Sequence, residues 1–75
     1  MQLLEDLADE LAVEALAAAN SSGDEKIVDQ VGEVLGASSQ TLQEAYLTAV
    51  RVRRAETRAR ALLAPFQVAA NKENR

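Results

Sequence analysis

From Leu42 to Leu63 the apolar residues return at alternating steps of three and four: Leu42, Ala45, Ala49 and Val52, then a polar Glu56, then Ala59 and Leu63. A strand repeats every second residue, so this spacing fits a helix with one narrow apolar seam. Phe66 would continue the series. The three heptads predict a helix over 39–64, spanning roughly 36 Å, that carries a coiled-coil face. Only an element of comparable length, in this chain or in another, can cover such a face.

Two further helices precede it. Over 2–19, Leu4, Leu7, Leu11, Ala15 and Ala18 recur on one side, with Ala8, Ala12 and Ala19 widening the stripe. Asn20-Ser21-Ser22-Gly23 ends that helix. Ser22 and Glu25 have the spacing of a capping box for a short second helix over 24–35, with Ile27, Val28, Val31, Val34 and Leu35 on one arc and Gly36 as its stop. Ser38 or Ser39 caps the third helix, and Pro65 is expected to end it after Ala64. The expected fold is therefore all-α, three helices assembled as a helical-bundle dimer. Residues 1–66 form a single domain and 67–75 a polar, disordered tail.

The charges are segregated along the chain. Residues 1–50 hold ten carboxylates against Lys26, a local charge of −9, whereas residues 51–75 hold seven bases against Glu56 and Glu73, a local charge of +5. Halves of opposite sign attract, within one folded chain or between antiparallel partners. Arg51, Arg54 and Arg58 form a second stripe on the third helix, a candidate electrostatic docking surface for an acidic helix or for phosphate. Arg53 and Arg60 flank the seam instead, where Glu56 reaches both at helical spacings of three and four. Tyr46 is expected half-buried beside the seam with its hydroxyl in water.

At 75 residues, with 48% apolar content rich in alanine, one small core is possible. Domains of this size usually need disulfides, a metal or a partner. With no cysteine and no histidine, thiolate and imidazole chemistry is absent, which leaves association as the expected stabiliser. No catalytic, cofactor-binding or metal-ligating set can be assembled from these residues, and neither an enzyme nor a small-molecule substrate is expected. MQLLEDLADE is acidic where a secretory signal is basic, and no apolar run reaches membrane-spanning length, so a cytoplasmic protein without a membrane partner is expected.

The stretch Val31-Gly32-Glu33-Val34-Leu35-Gly36-Ala37-Ser38-Ser39-Gln40-Thr41-Leu42 resembles the core of a helix-turn-helix. The resemblance implies that Gly32 permits close helix contact, that Gly36 makes the turn, and that Gln40, Thr41 and Gln43 read bases in a dimeric DNA-binding transcriptional regulator. Against it, no Arg or Lys lies between Lys26 and Arg51 to hold phosphates. The favoured reading is a small non-enzymatic interaction or regulatory module acting by helix–helix docking. Its expected partners are itself, as a homodimer through Leu42, Ala45, Ala49, Val52, Ala59 and Leu63, and a further protein.

Overall fold

The computed structural model describes the backbone of residues 3–73 and the side chains of residues 3–66. Three helices account for nearly all of it, with no strand among the described residues: α1 (Leu3–Ser22), α2 (Lys26–Ser38) and α3 (Gln40–Glu73). The all-α, three-helix expectation holds, and each helix runs past its predicted end.

The reasons differ from helix to helix. α1 continues to Ser22 because Gly23, at φ 77°, is the first residue to leave helical space. Its N–H closes the end by donating to the Ala19 carbonyl at 2.8 Å. The predicted Ser22–Glu25 capping box does not form. Ser22 is helical, and its hydroxyl accepts from the Asp24 N–H at 3.2 Å, while Asp24 Oδ1 accepts from the Lys26 N–H at 3.0 Å. Gly36 does not stop α2 either, since the helix continues to Ser38 and only Ser39 is extended, at φ −153°. Of the two serines expected as caps for α3, Ser38 ends α2 and Ser39 is the cap, its Oγ accepting from the Leu42 N–H at 3.1 Å.

Pro65 was expected to end α3 but lies within it. Proline withholds one donor from the carbonyl four residues back. That residue, Ala61, is exposed, so solvent can serve its carbonyl. The proposed boundary between a domain at 1–66 and a tail at 67–75 falls on side chains outside the described residues.

The helices run up, down and up. Asp9 meets Arg53, Leu4 and Glu5 lie beside Thr41–Thr48, and Leu16 and Asn20 lie beside Arg54 and Arg58, so α1 and α3 are parallel. α2 returns antiparallel, placing Val28 against Tyr46 and Gly36 against Gln43.

The core is small. Ala8, Ala12, Ala15 and Ala19 of α1, Val28 of α2, and Tyr46 and Val50 of α3 are buried. The buried ridge of α1 is thus its alanine row, while Leu4 and Leu7, expected inside, stay partly open and Leu11 is half-buried. Without side chains beyond Cβ, that row lets α1 approach closely, and the leucines are left to flank the contact.

Tyr46 fills the crevice between the helices and is, among the described residues, the one large side chain fully enclosed. It was expected half-buried with its hydroxyl in water. Instead the hydroxyl donates to the Val28 carbonyl at 2.7 Å, so the ring can be sealed without orphaning its polar tip. Burial, reinforced by the nearby Asp29 charge and opposed by Arg54, pushes its phenol above the usual tyrosine range.

Candidate docking surface

α3 is far longer than its neighbours, 34 residues against 20 for α1 and 13 for α2. At ~1.5 Å per residue it extends about 20 Å beyond α1. α1 already ends beside Arg58, and every described residue of α3 from Thr57 onward is exposed.

The predicted seam divides before this point, between Ala49 and Val52. Leu42, Ala45 and Ala49 pack half-buried against the core of their own chain, while Val52, Ala59 and Leu63 lie exposed. Ala55, Leu62 and Phe66 join the exposed set. At 100° per residue, Val52, Ala55, Ala59, Leu62, Leu63 and Phe66 fall within about 100° of arc, the width of a helix face made to be covered. Leu62 and Phe66 are the most open, at 73% and 69% exposure. Leu62 and Ala55 escaped the heptad reading because that reading followed one residue per step and stopped short of the face's full width.

The arginines divide into two groups. Arg53 makes a two-pronged bond to Asp9, Nε to Oδ1 at 2.8 Å and Nη2 to Oδ2 at 2.5 Å, fastening α1 to α3. Its Nη1 also donates to Glu56 at 3.1 Å, and Arg60 Nε reaches the other Glu56 oxygen at 2.8 Å. The expected Arg53–Glu56–Arg60 set is therefore present, extended by Asp9. Bonding to Arg53 holds the Asp9 carboxyl below the usual carboxylate range. Arg60 first, then Arg53, does the same for Glu56, and both acids push the Arg53 guanidinium up. No local spacing could have paired residues 44 apart, although the segregation of charge anticipated attraction between the halves.

Of the predicted docking arginines, Arg54 bonds Glu25 at 3.1 Å. Arg51 and Arg58 are exposed and, among the described residues, have no carboxylate within ion-pair distance. They stand along one edge of the apolar stripe, with Arg53, Glu56 and Arg60 along the other.

The residues that the helix-turn-helix resemblance singled out are not presented together. Gln40 and Thr41 are exposed, but Gln43 is half-buried and its amide donates to the Gly32 carbonyl at 3.0 Å. Gly36 sits inside α2, and the corner is the single residue Ser39 instead of the three to four residues typical of that motif.

A second apolar surface lies between α1 and α2. Leu11, Ile27, Val31, Val34 and Leu35 line an open groove of about 310 Å³. Val34 is 71% exposed, although it was expected on the packed arc of α2. No helix among the described residues is long and apolar enough to cross a membrane. Comparison with protein-family models, with curated proteins and with solved structures yields no match, so the reading of these surfaces rests on their geometry.

Proposed function

We propose that this protein is a small non-enzymatic interaction module that works by helix–helix docking and associates with itself as a homodimer, using the outer stripe of α3. The observation that carries the reading is the unpartnered face Val52–Phe66, which begins on the side of α3 turned away from its own bundle and continues past the end of α1. A lone helix segment of this length is marginal in water, and contiguous apolar faces of this kind mark association sites. The small core adds to the case, since alanines bury little area each and a second copy would add what one chain lacks.

Sedimentation equilibrium tests the proposal. At micromolar concentration the parent protein is expected to sediment at twice the chain mass. Leu62→Asp with Phe66→Asp is expected to give monomer of nearly unchanged helix content, because neither side chain touches the core. A monomeric parent at concentrations on the order of hundreds of micromolar, fully helical and melting cooperatively, overturns the reading.

A further inference from the structure

Accepting self-association, the open question is which surface of the second copy receives the stripe. The simplest arrangement, stripe against stripe, is electrostatically poor. Arg53, Arg54 and Arg60 are already bonded to Asp9, Glu25 and Glu56, but Arg51 and Arg58 are not, so packing two such edges together would bring unpaired like charges into the contact. Like-charge juxtaposition across an interface is heavily penalised.

The opposite sign is available elsewhere on the same molecule. α1 bears Glu5, Asp6, Asp9, Glu10 and Glu14 with no base at all. Asp6, Glu10 and Glu14 follow Leu3, Leu7 and Leu11 at a spacing of three, so an acidic row borders the leucines on the outer side of α1. These three acids are exposed and, among the described residues, bond no cation. Leu11 is also the α1 wall of the apolar groove against α2.

We infer that the apolar stripe of α3 docks into the groove between α1 and α2 of a second copy, with Arg51 and Arg58 against its Glu10 and Glu14. The dimensions agree. The stripe from Val52 to Phe66 and the 13 residues of α2 each span about 20 Å. The groove's 310 Å³ gives Leu62 and Phe66, one turn apart, a place to seat beside Val31 and Val34. Each copy holds one stripe and one groove, so the contact is heterologous, and the inference includes its closure as a two-fold pair instead of an open chain. The acidic row then selects the basic stripe and rejects other apolar helices.

Charge exchange with the full chain tests the pairing, read by sedimentation alongside circular dichroism. Arg51→Glu with Arg58→Glu places acid against acid and is expected to weaken the dimer by about tenfold or more. Glu10→Lys with Glu14→Lys should do the same from the other side. Mixing the two variants restores both contacts in a mixed pair, so association should return. If stripe met stripe, the arginine variant would associate more tightly and mixing would give no rescue. Either of those results overturns the inference while leaving self-association intact, whereas a monomeric parent removes both.

A cross-link keeps the test independent of charge. The chain has no cysteine, so Val34→Cys and Leu62→Cys can be introduced singly and mixed under oxidising conditions. A mixed disulfide between them is expected. Leu62→Cys linking only to itself overturns the groove assignment.

Discussion

Between Leu42 and Val50, α3 lies under α1 and α2, and the side chains of Tyr46 and Val50 are sealed from solvent. Between Val52 and Phe66 the same helix carries apolar side chains of similar size into water. Two causes separate them. Val52 and Ala55 lie level with α1 but on the side of α3 turned away from Tyr46 and Val50, whereas beyond Arg58 α1 has ended and α3 continues alone. Periodicity states which side of a helix seeks cover. It does not state who provides it.

The comparison breaks most visibly at Tyr46. Tyr46→Ala removes the one large side chain of the enclosed region and is expected to cost about 3–5 kcal/mol, comparable to the whole stability of a domain this size. Circular dichroism should show the helices lost or nearly so at 25 °C; a cooperative melt close to that of the parent protein would show that the crevice is not the core.

Alkaline pH probes the same residue more gently. Its raised folded pKa means that stability is fully present below the ordinary tyrosine value of 10.0 and is lost as pH rises through the folded value. As this is the only tyrosine, with no tryptophan, ultraviolet absorption reports it alone. Ionisation is expected above pH 10, coincident with loss of helix. Tyr46→Phe, which removes one neutral hydrogen bond, should cost about 1 kcal/mol and abolish the phenol's alkaline step. A phenol titrating at its ordinary value in folded protein would mean that the hydroxyl is open to water.

The α2–α3 contact can be sharpened with two glycines. A Cβ on Gly32 would sit 3.6 Å from the Tyr46 ring and 3.7 Å from Leu47, ordinary contact distances. Gly32→Ala is therefore expected to stabilise by about 0.5–1 kcal/mol through helix propensity. A Cβ on Gly36 would come within 2.6 Å of the Gln43 amide and force it off the Gly32 carbonyl, so Gly36→Ala should gain less. Equal thermal shifts for the two would contradict the close approach at Gly36.

Acid tests the clasp at the border of the two regions. Asp9 and Glu56 have lowered folded values, so their contribution is complete above their ordinary values of 3.8 and 4.5 and fades as pH falls through the folded ones. Asp9→Asn should flatten the acid limb of the stability profile and shift the neutral melt only slightly, as exposed ion pairs do. An unchanged acid limb would remove Asp9 from the account.

The smallest expected effect lies on the exposed face of α3. In protein dilute enough to be monomeric, Val52→Asp should move the melting temperature hardly at all, within the usual range of about 0.5 kcal/mol for surface changes. A large loss there would mean that Val52 is covered within its own chain.

Much of this fold was legible from residue order alone. The helix count, the Ser39 cap and the Glu56 bridge to Arg53 and Arg60 each rest on spacings within about one turn, where local geometry decides the outcome. The helix ends were less legible. Pro65 and Gly36 each oppose a helix locally, but solvent beside Ala61 and the packing of α3 against α2 allow it to continue. The core face of α1 was read through its leucines, although close approach favoured the alanines. The burial of Tyr46 could not be seen, since the Val28 carbonyl that receives its hydroxyl is 18 residues away.

A last consequence follows from the corner at Ser39. Only this residue interrupts helical geometry between Lys26 and Glu73, so two backbone dihedrals separate the hairpin from a single straight rod. A corner that small has no loop of its own to define its direction. What keeps it bent is the Tyr46 hydroxyl on Val28, the Gln43 amide on Gly32 and the flat glycine surface beneath them. The topology of this chain is thus maintained from its interior, and the turn merely permits it.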